Sequence, residues 1–155
     1  FSGVVDLMGI RFDYPEDQVI SKRWLGAGPY RVWQNRIHGT QYDVWENDYN
    51  DPIPGETFTY PEFKGYFADV SWMNIQTKEG TISLTNETPD AYIGVYQPRD
   101  GRDRLLYTLP ESGISVLNVI PPVRNKVNST DLCGPSSQPK WVNGPQTGRV
   151  IFRFM

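Results

Sequence analysis

The side chains able to do chemistry in this chain are few in kind. Thiol catalysis needs a thiolate and a base, yet there is one cysteine, Cys133, and one histidine, His38, far apart in sequence. A lone cysteine reads as a small buried hydrophobe, and one of each builds neither an internal disulfide nor a Cys/His zinc site. Asp48, Asn50, Asp51 and Glu56 offer oxygen ligands in a loop that also carries Pro and Gly. Counted from Asp48, however, an EF-hand would need Gly and Glu where the chain has Ile53 and Thr59. Asx side chains in such loops ordinarily cap turns. Glycoside hydrolysis in its usual form needs two carboxylates facing each other across a sugar. Among 18 acidic residues no such pair stands out; Glu62, between Pro61 and Phe63, and Glu46, after Trp45, are the ones suited to partial burial beside aromatics. The run Gly26-Ala27-Gly28-Pro29-Tyr30-Arg31 lacks the third glycine of a dinucleotide loop, and Pro29 disfavours the helix that would receive a phosphate. It reads as a tight bend after a strand.

Trp141 is the residue with the clearest binding chemistry. It lies in the polar stretch Ser136-Ser137-Gln138-Pro139-Lys140-Trp141-Val142-Asn143-Gly144, where no alternation assigns it to a core. An exposed indole offers a flat apolar face on which a sugar ring stacks, while Ser137, Gln138 and Asn143 bond its hydroxyls. The competing reading is that Trp141 anchors the loop. Trp24, Trp33, Trp45 and Trp72 lie in or beside apolar runs and are expected to fill the core, each indole N–H finding an acceptor.

The elements that position these residues read as strands. No segment holds a sustained 3.6-residue period, whereas short runs alternate with period two. Strands are expected over Gly9 to Tyr14, Val19 to Leu25, Thr40 to Trp45, Phe67 to Gln76, Gly80 to Thr85, Tyr92 to Gln97, Leu105 to Leu109, Ile114 to Ile120 and Arg149 to Phe154. Ile10, Phe12 and Tyr14, and likewise Val150, Phe152 and Phe154, each share one face and are expected to point at the core. Lys78-Glu79-Gly80 and Asp100-Gly101 sit where hairpin turns belong. Glu46 to Glu62 and Asn125 to Gly148, each with three prolines, are expected to be long loops serving a site.

The whole composition fits this picture. The 155 residues suit a single domain, 14% of them aromatic, and 14 Gly with 13 Pro favour short strands and turns over long helices. The net charge is −3 with no run of like charge, which argues against nucleic acid. No apolar stretch approaches the roughly twenty residues of a membrane span. The start at Phe1, with no initiator Met and no signal-type segment, reads as a piece of a longer or processed polypeptide. The fold expected is an all-β antiparallel sandwich in one domain over 1–155.

Trp24-Leu25-Gly26-Ala27-Gly28-Pro29-Tyr30, followed by Asn35-Arg36, resembles the "W-x-G-x-G-P … D-R" signature of the C-terminal β-sandwich domain of glycoside hydrolase family 2 β-galactosidases. Leu7 to Phe12 resembles the strand before that signature. Tyr60-Pro61-Glu62-Phe63-Lys64-Gly65 resembles the family's "P-Q-E-x-G" turn, with Asp69 to Trp72 in the place of the next strand. Cys133-Gly134, then Trp141, resembles the loop whose terminal Trp reaches the active site. The resemblance runs from about Leu7 to Phe154. It departs at Asn35 where Asp is usual, at Phe63 where Glu is expected and at Phe67 where Arg often stands, which implies a divergent subfamily.

The resemblance implies part of a galactose-mutarotase-like supersandwich that is itself noncatalytic. Both catalytic glutamates would lie on a TIM barrel earlier in the polypeptide, and no cofactor or metal is expected in this chain. The expected partners are a β-galactoside-type sugar and that catalytic domain, with no nucleic acid and no membrane. A periplasmic or secreted bacterial parent would fit. Missing edge strands would leave a free edge and favour a homodimer of the isolated piece. Two other readings stand beside this one: an autonomous carbohydrate-binding module, and a purely structural sandwich with Trp141 at an interface.

Overall fold

The computed structural model describes residues 1–49, 65–95, 113–122 and 134–155. Within them the chain forms ten strands: β1 (Ser2–Val5), β2 (Met8–Phe12), β3 (Val19–Gly28), β4 (Gln41–Asp48), β5 (Trp72–Thr77), β6 (Gly80–Asn86), β7 (Tyr92–Val95), β8 (Ile114–Val119), β9 (Lys140–Asn143) and β10 (Val150–Phe154). Two single turns of 3-10 helix, Glu16–Gln18 and Pro135–Ser137, are the helical elements among the described residues.

The strands make a five-stranded sheet in the order β10-β6-β5-β3-β4, a three-stranded sheet β2-β8-β7 and a ribbon β1-β9, with every pairing antiparallel. The register explains which side chains are buried. Trp45, Trp24, Met73, Leu84 and Phe152 form one row across the five strands, and Lys22, Ile75, Ile82 and Phe154 fall in the next row on the same face. That face packs on Ile93, Val95, Ile114 and Val116 of the three-stranded sheet, with Phe67 and Val70 between them. Two sheets sharing one apolar core make this an all-β antiparallel sandwich. A second cluster, Ala27, Val32, Trp33, Tyr66, Ala68, Leu117 and Ile120, fills one end.

The β5–β6 hairpin turns at Lys78 and Glu79 as its residue types predict. Thr77 donates its hydroxyl to the Gly80 carbonyl at 2.8 Å and accepts the Glu79 N–H at 3.2 Å. Glycine is required at Gly80, where φ is +146° and an added Cβ would lie 2.2 Å from the Met155 carbonyl oxygen. Other expectations need correction. The strand expected from Phe67 starts only at Trp72, because Asp69 takes a positive φ of 51° and breaks the extended path. The bend expected over Gly26 to Arg31 comes later than its glycines: Gly26 to Gly28 continue β3 into pairing with β4, and the chain bends at Pro29 and Tyr30. The glycines make room: a Cβ on Gly28 would lie 2.5 Å from the Trp45 ring, and one on Gly26 would lie 3.0 Å from Ala68 and Val70 backbone. The run expected at Leu105 to Leu109 and the turn at Asp100-Gly101 lie outside the described residues.

Ile10 and Phe12 stand opposite the buried Val116 and Ile114 and so face the core side of their sheet, yet they are 58% and 43% exposed. The alternation found the right face, but among the described residues β2 lies at the edge of its sheet, and its end of that face is exposed. Tyr14, Val150 and Phe152 do pack on the core, whereas Phe154, on the edge strand β10, is exposed. The two edges meet where the rings of Phe12 and Phe152 stack edge-on, 5.0 Å apart.

Trp24 and Trp33 are fully buried, and Trp45 packs against the core with its indole donating to the Gly26 carbonyl at 3.2 Å. Trp72 belongs elsewhere. Its register with Leu25 and Thr85 puts it on the outer face of the sheet, in a row with Val44 and Ile151.

Candidate functional site

The glycine-rich segment ends β3, passes a cis Gly28–Pro29 peptide and enters a compact turn. There the Val32 N–H donates to Tyr66 at 2.7 Å, the Tyr66 N–H returns the bond at 2.8 Å, and Trp33 stacks edge-on against the Tyr66 ring. Gly65 permits this contact, since its φ is +60° and a Cβ would lie 2.3 Å from the Val32 carbonyl oxygen. Trp33 then closes a turn on Arg36, whose N–H donates to its carbonyl at 2.9 Å. That turn presents Gln34 and Asn35 to a distant part of the chain.

Gln34 donates its Nε2 to the Gln138 carbonyl at 3.0 Å, and Asn35 donates its Nδ2 to Ser137 Oγ at 2.9 Å. The Gln34 N–H also bonds the Pro121 carbonyl at 3.2 Å. The segment that carries Trp141 is thus fastened to the first motif just before β9 begins. The fastening gives Ser137 Oγ and the Gln138 backbone a structural role.

Trp141 does not lie in a loop. It stands on β9, paired with Val4 of β1, and it is 64% exposed. Val142 turns the other way and is buried. Asn143 shares the Trp141 face two residues along, roughly 7 Å at the rise of a strand, and is paired with Ser2. The face therefore carries Trp141 beside Val4, which is 56% exposed, and Asn143 beside Ser2. Gly144 ends the strand at φ +77° with its N–H on the Phe1 carbonyl at 2.8 Å.

Of the four expected sugar contacts, Trp141 and Asn143 come together on one exposed face, while Ser137 and Gln138 sit at the foot of the strand against Asn35 and Gln34. Ser2 and Val4 were not foreseen as neighbours of Trp141. Ser2-Gly3-Val4-Val5 is too short and too weakly patterned to announce a strand, and its partner lies at the other end of the chain.

Of the remaining candidates, those among the described residues do not converge on this face. Glu46 is not partly buried beside aromatics, because it has the opposite parity to Trp45 on β4 and stands exposed across from Arg23. His38 is exposed. Asn50, Asp51, Glu56, Glu62, Phe63 and Cys133 lie outside the described residues. Phe67, where the resemblance expects Arg, is fully buried; Trp24 stacks on it at 4.7 Å. The Arg31 guanidinium sits 4.9 Å and the Lys22 ammonium 5.9 Å from its ring centre. Buried cations gain from an aromatic face there, and Lys22 also donates to the Asp48 carbonyl at 2.8 Å.

Compared with known proteins, the chain matches no family model and none of the curated sequences.

Proposed function

We propose that this chain is a noncatalytic C-terminal β-sandwich of a β-galactosidase-like glycoside hydrolase, shaping the sugar site beside a TIM-barrel domain carried elsewhere in the polypeptide. The observation that carries the reading is the link between its two resembling motifs. Asn35 of the first motif holds Ser137, four residues before Trp141, at 2.9 Å, and the indole beyond it remains exposed. A platform held by side chains of one motif and aimed outward by a buried Val142 suits a residue that stacks on a sugar. The open core side at β2 and β10, where Ile10, Phe12 and Phe154 are exposed, suits a sandwich continued by further strands of a parent supersandwich. In such a parent a retaining pair of carboxylates does the chemistry, and stacking on Trp141 orients the glycone for attack.

The test begins with the mass of the native polypeptide, by immunoblot or intact mass spectrometry on source cells. A mass several times 17.8 kDa is expected. In that polypeptide Trp141→Ala should raise KM for a β-galactoside markedly while leaving the fold intact; unchanged KM and kcat would remove Trp141 from the site. A native product near 17.8 kDa would favour an autonomous carbohydrate-binding module, for which the exposed Trp141 and Asn143 pair is the supporting observation. Titration of the isolated domain with galactosides separates the two, because a module binds alone and a wall of a composite site binds very weakly.

A further inference from the structure

At the β4 edge of the five-stranded sheet a backbone N–H is bonded by a side chain of its own strand. In an antiparallel pair, successive residues direct their backbone N–H and C=O alternately toward and away from the partner. The Leu25 carbonyl accepts the Ser71 N–H and the Ala27 N–H donates to the Ala68 carbonyl, both at 2.9 Å. These β3 residues therefore spend their backbone groups on the β5 side. Their cross-strand partners Val44 and Tyr42, and by the same alternation Glu46, aim their backbone groups away from β3. Among the described residues no strand pairs with that side of β4.

An eight-residue edge with exposed Tyr42 and Val44 would ordinarily template another strand. Near its middle, however, the outward N–H of Val44 donates to Oδ1 of Asp43 at 2.7 Å. We propose that Asp43 is an edge guard: its carboxylate occupies the N–H that a second copy of this chain would need to extend the sheet. A second copy is the natural occupant, because identical edges pair antiparallel about a twofold axis and each presents the same groups to the other. The cap removes a donor from the centre of that pairing twice over, once on each copy.

Light scattering on the eluting protein tests this. The parent sequence and Asp43→Asn, whose amide oxygen still accepts the Val44 N–H, should have the same mass. Asp43→Val, which has no acceptor, should show twice that mass, with Asp43→Ala as a second variant that adds no bulk. The double substitution Asp43→Val with Val44→Pro, which removes the donor itself, should restore the original mass. The proposal is overturned if Asp43→Val and Asp43→Ala keep the parent mass with unchanged circular dichroism. It is equally overturned if Asp43→Asn associates as readily as Asp43→Val, since charge rather than capping would then be the guard. Persistence of the dimer in the double variant would place the contact on another edge and overturn it too.

Discussion

Asn35 and Ser137 are joined by a hydrogen bond of 2.9 Å across 102 positions of sequence, with the asparagine amide as donor and the hydroxyl oxygen as acceptor. The polarity of that bond makes a specific forecast. Asn35→Ala removes the donor and should cost about 1 kcal/mol of stability, the usual net worth of such a bond. Asn35→Asp, the residue usual in the family that the segment resembles, cannot donate, but the Ser137 hydroxyl can turn and donate to the carboxylate instead. Denaturant midpoints should therefore fall for Asn35→Ala and change little for Asn35→Asp. If Asp proves as harmful as Ala, the bond depends on the amide.

The glycines of β3 are explained by what lies over them rather than by turning. Gly28→Ala would drive a Cβ to within 2.5 Å of the Trp45 indole ring, which is itself held by its bond to Gly26. Overpacking of this kind costs about 1–3 kcal/mol. Gly134→Ala, with nothing among the described residues within 4 Å of its Cβ position, is the matched control and should be close to neutral. Thermal melts of the two variants should differ clearly, and Trp fluorescence should shift only for Gly28→Ala.

These examples show where residue types speak and where they fall silent. Alternation placed most strands near their observed positions, because a strand with one buried face must repeat every two residues. It identified the shared face of Ile10 and Phe12 but not their exposure, since which part of a face is covered depends on where the opposing sheet ends. Trp72 looks like a core residue by type alone. Only its register against Leu25 and Thr85 reveals that it belongs to the outer face. β9 was hidden for a related reason: four residues, of which only Val142 is buried, carry too short a pattern, and the pairing with β1 is a tertiary fact. The glycine-rich segment reads as a bend because glycine is a turn former, and the chain does bend, but only at Pro29 and Tyr30 once the glycines have served as strand. Glycine's other use, permitting close approach, shows only once Trp45 and Ala68 are seen beside it.

Asn86-Glu87-Thr88 fits the pattern for N-linked glycosylation, but both of its key side chains are structural. The Asn86 amide donates to the Val70 and Thr88 carbonyls at 3.0 and 3.2 Å and accepts the Thr88 N–H at 3.0 Å. The Thr88 hydroxyl donates to the Arg149 carbonyl at 3.2 Å and accepts the Arg149 N–H at 2.7 Å. A glycan on Asn86 would have to replace the amide bonds that fasten β6 to the segment after Phe67. Expressed in a glycosylating host, the folded protein should yield an unmodified Asn86 peptide by mass spectrometry. A sugar found there would mean that modification precedes closure of this knot.

Tyr92 carries a pH signature of the fold. Its phenol is pushed above the ordinary value of 10.0, first by burial and then by the negative charges of Asp69 and Asp90. Both effects disfavour the phenolate in the folded protein. A raised phenol pKa means that the unfolded chain gives up this proton first as pH rises. The contribution to stability is thus fully present below about 10 and is lost progressively as pH climbs through the folded value. Ultraviolet titration should show Tyr92 ionising late, and Tyr92→Phe should remove its contribution from the late part of the curve. Asp90→Asn removes one repelling charge while keeping a residue that tolerates the positive φ of 55° at this position. It should move the late ionisation toward the ordinary range without abolishing the shift, because burial is the larger cause. A titration in which Asp90→Asn erases the shift completely would instead assign it to charge.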